Sequence, residues 1–481
     1  MQYFEKTPWP SPSAVSSECG DDELFLAIYK ELITRHLHSI SRPSTRDRVS
    51  GWYVYKNLFD LLLKEEEEAG PDSFLLIPEW TFDILHEFLY QFQGFCQLRA
   101  GTFANAAKYG PGGVSEGKHP THHLAENLDI LSKSKEAWAV EDVMMYLHRF
   151  IQLGSKQDAG TNFQYLAVFS AVTLSRLECL LGDYTSSLSA LDIINPDMII
   201  QPPFGAEEDA KAMSSEEVVD SVFSARVSMT YHAGVSYLML RRYKDAAKVL
   251  GDICATMKRG IKSGQFKNMI GADQLLKNYD RMIALLAIIT HVCPSYGLVD
   301  DSVASAVREK HGNQLTKIEA GEEGYEDLFM FACPKFVTAF VPDYDLAIAQ
   351  GPSAGPNGQD AYKLQVKHFM NEMANQQTMM KLRSYMKLYS SISVEKLAKL
   401  VTEEEVTSLL ASYKQKMRQL ENKVGSGGDF GTVMDIHYYV KDDIIHIEEA
   451  EKQHRFERYF INQISQSQDI LRTVDGIRTD F

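Results

Sequence analysis

Cysteine is scarce in this chain, and what there is lies scattered. Six cysteines stand at positions 19, 96, 179, 254, 293 and 333 of 481 residues, with no Cys-x-x-Cys pair. Such spacing excludes a zinc framework and a disulfide-stapled scaffold, and it predicts reduced thiols in a core. Long apolar runs are missing too. The densest, Ile283–Ile289, falls far short of the roughly 20 residues that a membrane-spanning helix needs. The first residues, Met1–Lys6, form no apolar signal core. No membrane contact is expected, and the expected compartment is the cytoplasm. Positive charge is in deficit: 49 Lys and Arg against 65 Asp and Glu give a formal charge of −16. Such a chain repels phosphate backbones as a whole, which argues against DNA as a partner.

The residues that are present describe a globular, mostly helical protein. Hydrophobic content is 44%, and the length suffices for two or three packed units. Residues 1–20 are Ser- and Pro-rich and read as irregular. From Asp21, Phe25, Leu26, Tyr29, Leu32 and Ile33 fall on one helical face. A second helix, about 51–68, turns Trp52, Tyr55, Leu58, Phe59 and Leu62 inward. Pro78 opens a third with Trp80, Ile84, Leu85, Phe88, Phe92 and Phe95 at helical spacing. So many aromatics on one face need neighbouring helices to cover them. Gly110–His123 reads as a loop. Further on, Leu181-Gly182-Asp183-Tyr184 closes one helix and starts another. The pattern recurs at Gly234-x-x-Tyr237 followed by Arg241-Arg242-Tyr243. A small residue lets two helices approach, and a tyrosine after the turn fills the gap, as in tetratricopeptide units. The two tyrosines are 59 residues apart, so the repeats are degenerate and interrupted.

The stretch from Leu382 to Ala450 changes character. Ser393 is placed to cap a short helix, Val394–Leu400. Thr402 and Glu405 have capping-box spacing for a helix from Glu403 carrying Val406, Leu409, Leu410, Tyr413, Met417 and Leu420. After a Gly-rich turn, Met434, Ile436, Tyr438 and Val440 alternate. Lys441-Asp442-Asp443 turns the chain, and Ile445 and Ile447 continue the alternation. Two helices followed by a hairpin describe a winged helix. A winged helix that reads nucleic acid needs a basic recognition helix and wing. Between Lys381 and Ala450, ten Lys and Arg are outnumbered by eleven Asp and Glu. Lys414, Lys416 and Arg418 form one short basic run, the place for a weak RNA contact or simply a solvated helix face.

Several motifs imitate catalytic ones and lack the setting that the chemistry needs. Gly351-Pro352-Ser353-Ala354-Gly355 has no strand before its serine. Gly112–Lys118 is followed by His119 and Pro120 where a phosphate loop has Ser or Thr and a helix. His119, His122 and His123 have no cysteine or carboxylate at ligand spacing. Asp429-Phe430-Gly431 stands without the rest of a kinase and reads as the turn before the wing. His437 and His446 lie in wing strands without a carboxylate partner. The residues therefore point to no enzyme, no metal site and no cofactor.

Helical repeats running into a winged helix resemble the PCI-domain proteins. The match is closer to the L-subunit family of eukaryotic translation initiation factor 3. It is carried by Lys6-Thr7-Pro8-Trp9-Pro10, Tyr29–Leu32, Glu87–Gln93, Leu181–Tyr184, Tyr237–Met239, Ala284–Ile288, Cys333–Phe336, Val341–Asp345, Leu388-Tyr389, Lys396–Ala398 and Ile445–Ile447. Members of that family carry a further segment before the Thr-Pro-Trp-Pro string, at which this chain almost begins. The loops 101–123 and 195–214 also differ.

The resemblance implies a mostly α fold: a TPR-like or HEAT-like stack, then a winged helix within a PCI domain, then a terminal helix. It implies an irregular segment over 1–20, a repeat region over 21–250, a PCI unit over 251–450 with its winged helix at 391–450, and a C-terminal helix over 451–481. It also implies a non-catalytic scaffold among PCI and MPN subunits of initiation factor 3. That complex binds the small ribosomal subunit and supports preinitiation complexes and mRNA recruitment. Ile436, Tyr438, Val440, Ile445 and Ile447 would then form a lateral interface, one sheet face covering Leu397, Leu409 and Tyr413. Phe456, Tyr459, Phe460 and Ile464 would dock on neighbouring subunits. The proteasome lid and the signalosome share this fold, and an RNA-binding adaptor would use the same winged helix. The strings Glu87–Gln93 and Cys333–Asp345 favour the initiation factor.

Overall fold

A computed structural model gives the fold. It describes residues 7–19, 22–68, 76–115, 124–156, 159–200, 212–267, 271–293, 298–319, 324–345, 349, 360–401, 406–421, 429–432, 436–449 and scattered positions between 460 and 471. The chain opens with α1 (Pro12–Cys19), α2 (Glu23–Ile40), α3 (Thr45–Glu68) and α4 (Pro78–Ser115). The N-terminal segment is thus helical from Pro12 rather than irregular. It is tied to α2 by Trp9 Nε1 donating to His36 Nδ1 (3.0 Å) and by the Tyr29 hydroxyl donating to the Pro10 carbonyl (2.8 Å).

The apolar reading of α2 picked the wrong face. Phe25 is 46% exposed, whereas Leu24, Ala27, Glu31 and His36 are buried. The reason is electrostatic. Glu31 is 0% exposed because Arg35 grips it through two bonds of 2.9 Å and Tyr55 donates to it at 3.0 Å. A carboxylate satisfied on all sides can occupy a core position. Helices α3 and α4 behave as expected, except that Trp80 is exposed. Trp52, Tyr55, Phe59 and Phe88 pack with Trp138 and Tyr146, ring to ring. Gly110–Ser115, read as loop, continue α4.

Next come α5 (Leu124–Lys133), α6 (Val140–Gly154), α7 (Thr161–Leu181) and α8 (Tyr184–Ser189). A two-residue β-bridge joins β1 (Ile199–Ile200) to β2 (Met213–Ser214). It leads into α9 (Ser215–Ser221), α10 (Phe223–Met239), α11 (Tyr243–Ser263), α12 (Ala272–Val292), α13 (Asp301–Glu319) and α14 (Tyr325–Ala332). The two tetratricopeptide-like turns are present. At the first, Gly182 takes the left-handed conformation (φ 89°) and Asp183 caps α8 by accepting from Ser186 N–H. At the second, α10 and α11 close on each other at Gly234, where an added Cβ would lie 2.5 Å from Leu250. Buried Tyr243 follows the turn, and Arg242 pairs with Asp245 at 2.7 Å, both buried. Here Arg241 occupies the left-handed region (φ 63°) that glycine holds in the first turn.

These helices share one core that runs from Leu24 to Met373. Cys96, Cys179, Cys254, Cys293 and Cys333 are all buried. Burial pushes the first three thiols up to about 12 and Cys333 up to about 11, which keeps them as neutral core groups. None of the helices among the described residues is long and apolar enough to cross a membrane.

Helix α15 (Asp360–Met386) leaves this core and enters a second one. The second core is the winged helix: β3 (Ser391–Ser393), α16 (Val394–Val401), α17 (Val406–Lys416), β4 (Arg418–Glu421), β5 (Asp429–Thr432), β6 (Ile436–Lys441) and β7 (Ile444–Glu449). The wing sheet is antiparallel in the order β3-β7-β6, with Ile392 opposite Ile445 and Val440 opposite Ile445 from the other side. Asp442 and Asp443, with φ of 51° and 58°, form the two-residue hairpin turn. Ser393 caps α16 as expected, its Oγ accepting from Lys396 N–H at 3.3 Å. Thr402–Glu405, Met434 and the Gly-rich turn lie outside the described residues. The long helix expected to run through Leu420 stops at Lys416. Arg418–Glu421 instead pairs as a strand with Asp429–Thr432.

Arg241→Gly relieves the strained turn and raises the unfolding free energy by about 0.5–1 kcal/mol; an unchanged urea midpoint contradicts this. Burial raises the Glu87 carboxyl to about 7 from 4.5. A raised carboxyl costs stability as it ionises, so the contribution of Glu87 falls as pH rises between 4.5 and 7. Glu87→Gln removes that part of the slope, which melting curves taken across that range measure.

Candidate protein interface at the winged helix

The winged helix is built around a short apolar centre. Leu397 from α16, Leu410 and Tyr413 from α17, and Met379, Leu382 and Met386 from α15 meet Ile392, Ile436, Tyr438, Ile445 and Ile447 of the sheet. Leu409 packs against the same cluster. Tyr413 and Tyr438 stack with ring centres 6.4 Å apart at 11°. The Tyr438 hydroxyl donates to the Leu410 carbonyl at 2.6 Å, and burial pushes its phenol up to about 12. It therefore stays a neutral donor that fastens the wing to α17.

The expected interface residues separate into two sets. Ile436, Tyr438, Ile445 and Ile447 are buried inside this chain's own core. Their side chains support the sheet and are not presented to a partner. Val440 has the same parity as Ile436 and Tyr438 and stands opposite buried Ile445, yet on the outer strand β6 it is 46% exposed. The outward face is made by residues that alternation alone assigns to solvent. Tyr439 stacks on His446 at 4.9 Å and 18°, with exposed Ile444 in the same sheet. Sequence reasoning passed over Tyr439 and Ile444. The signal was there, since an aromatic and an isoleucine on the outer face of a hairpin have no core to enter. Strand β6 pairs only with β7 among the described residues, which leaves its other edge open. Of the terminal-helix residues, Phe460 and Ile464 are helical and exposed, as are Ile470 and Leu471. Phe456 and Tyr459 lie outside the described residues.

The short basic run does not form one surface. Lys416 Nζ reaches across to Glu372 of α15 at 2.8 Å, and both groups are largely buried. Arg418 is in strand β4, so it no longer shares a helical register with Lys414. Lys414 alone remains an exposed helical cation of the three. The catalytic look-alikes fare differently from one another. Asp429-Phe430-Gly431 is strand β5, paired to β4 with Phe430 opposite Leu420, not a turn. Gly112–Ser115 belong to α4. The Ser353 motif and His119, His122 and His123 lie outside the described residues. Among the described residues, no group of three or more His, Cys, Asp or Glu is arranged to hold a metal ion.

A helical-repeat stack ending in a winged helix with an open sheet edge is the architecture of the PCI class. Comparison with known proteins narrows this. The family model described as RNA polymerase I-associated factor PAF67 matches residues 47–467. Eukaryotic translation initiation factor 3 subunit L of Mus musculus is 32% identical over 501 residues, covering 98% of this chain and 80% of the mouse protein. The subunit L of Homo sapiens is 30% identical with the same coverage, and that of Nematostella vectensis is 28% identical over 99% of this chain and 86% of its own length. The chain belongs to the family of eukaryotic translation initiation factor 3 subunit L.

Substitutions inside the wing therefore report on folding before assembly. Tyr438→Phe removes the bond to Leu410 and costs about 1 kcal/mol. Ile445→Asp buries an unpaired carboxylate and abolishes cooperative melting of the wing, at a cost of several kcal/mol. A native-like melt for Ile445→Asp contradicts the burial described here.

Proposed function

We propose that this chain is a non-catalytic scaffold subunit of eukaryotic translation initiation factor 3. In this reading it joins PCI and MPN neighbours in the cytoplasm and supports 43S preinitiation complex assembly and mRNA recruitment on the small ribosomal subunit. The observation that carries the reading is the open edge of β6 flanked by exposed Tyr439, Val440 and Ile444. An unpaired row of N–H and C=O groups beside apolar side chains invites a further strand or a second sheet. Exposed Phe460, Ile464, Ile470 and Leu471 support a second contact through the terminal helix. The dispersal of Lys414, Lys416 and Arg418 weighs against an RNA-reading role for the wing.

The division of labour between a repeat region to residue 250 and a PCI unit from 251 is functional in this reading. Position 251 lies inside α11, and the first core is continuous across it. The packing divides later, within α15.

Val440→Asp tests the proposal. A charge on the exposed edge blocks strand addition and leaves the second core intact. The variant is expected to melt like the native chain and to lose co-purification with the other subunits. Recovery of the full set of subunits with Val440→Asp overturns the proposed edge contact.

A further inference from the structure

The register of the wing hairpin decides which backbone groups of β6 face outward. Lys441 and Ile444 flank the two-residue turn, so Lys441, Tyr439 and His437 exchange backbone bonds with Ile444, His446 and Glu448 of β7. The bonds on the far side of β7 agree. There Ile447 N–H donates to the Ser390 carbonyl, and the Asp443 carbonyl accepts from Val394 N–H, at 2.9 Å each. The N–H and C=O groups of Ile436, Tyr438 and Val440 therefore point to the open edge, where no further strand pairs among the described residues.

This edge is complementary to itself. Two copies of β6 can be set antiparallel about Tyr438, with Val440 of each opposite Ile436 of the other. The outward groups of Ile436, Tyr438 and Val440 then meet their equals. Val440, now at the rim of the sheet, comes to lie within it. On the outer face, Tyr439 of one copy falls opposite His437 of the other. One side of the Tyr439 ring is already stacked on His446 at 4.9 Å, yet the residue is 54% exposed. The second copy's His437 ring covers its other side, and the two-fold axis repeats the contact. The charges fit as well. Strand β6 carries Lys441 and no acid, and exposed Glu448 stands beside His437 at the opposite end of the hairpin. Antiparallel pairing carries Lys441 of each copy toward Glu448 of the other, whereas parallel pairing would set the two lysines side by side.

We infer that the free chain pairs with a second copy of itself through β6, joining two wing sheets into one. The inference rests on the same open edge as the function proposed above and requires no other subunit. A two-fold pair uses both edges and stops there, so it yields a closed dimer and not a fibre. A strand of six residues contributes far less than the roughly 20–30 residues a side of a stable interface, so the dimer is weak and dissociates on dilution.

Sedimentation velocity of the full chain over about 1–200 µM tests this, with half-association expected at about 10–100 µM. Val440→Pro removes one outward N–H and leaves the bonds to β7 in place. It is expected to remain monomeric throughout, with a native melting curve. Oxidative cross-linking reads the register without that variant, and decides alone if Val440→Pro melts early. His437→Cys and Tyr439→Cys are made as separate chains. Mixed at the same total concentration, they are expected to give at least about fivefold more disulfide-linked dimer than either alone, because the thiols stand opposite each other only in the mixed pair. A native chain that is monomeric at the highest concentration overturns the inference. So does a dimer that persists in a natively folded Val440→Pro, and so does cross-linking no greater in the mixture than in the single variants. Co-purification with other subunits is a separate result: its loss leaves self-pairing standing, and loss of self-pairing leaves the proposed edge contact standing.

Discussion

A single helix, α15, is shared by the two cores and ties them together. Val366, Phe369 and Met373 belong to the first core, and Met379, Leu382 and Met386 belong to the second. Within each trio the positions recur at three- and four-residue intervals, and the second trio is turned by roughly 140° about the helix axis from the first, so two different faces of one helix serve the two cores in succession. At 27 residues, the helix is about 40 Å long, enough to reach from one to the other. Between the two trios, the buried surface of the helix turns polar. Gln376 is 1% exposed and donates to Glu372 at 3.0 Å, and Glu372 accepts Lys416 from α17. The polar junction interrupts apolar continuity while its ion pair still fixes α17 on α15.

Fixing α17 fixes the sheet. Tyr438 is bonded to α17, Val394 N–H donates to the Asp443 carbonyl, and Ile447 N–H donates to the Ser390 carbonyl. The wing is thus held at its turn, its middle and its far end. What it presents outward is decided by register alone: a one-residue slip would exchange buried Ile436 and Tyr438 for exposed His437 and Tyr439. The same ion pair ties Lys416 to Glu372, so the element that most resembles a nucleic-acid reader spends this charge on a contact within the chain. An acidic molecule with an open strand edge and apolar outward side chains is suited to holding proteins together. Membership in the subunit L family gives that suitability its setting.

Much of this was legible in the sequence because it rests on local rules. Alternation found β6 and β7, helical spacing found the inward faces of α3 and most of α4, and the tyrosine after each turn marked both repeat units. The misses came from long-range or compensated interactions. Strand β3 is three residues long and pairs with a partner more than 50 residues away, so no local pattern announces it. The face of α2 was misread because Glu31 is satisfied by Arg35 and Tyr55 rather than by water. Leu420 followed the helical period of α17 and nevertheless belongs to a strand, because β5 offers it a pairing partner. In the interface, alternation gave parity and not depth. It placed Val440 with Ile436 and Tyr438, but the core that buries Ile445 and Ile392 at the same level does not extend sideways over Val440 on the outer strand.

The free edge of β6 is expected to become occupied when the chain enters initiation factor 3. Amide hydrogen exchange over Ile436–Lys441, compared between the isolated chain and the assembled factor, measures this directly. The outward-facing amides of β6 are expected to slow markedly on assembly, while those already paired with β7 change little. Equal exchange in both states would contradict it.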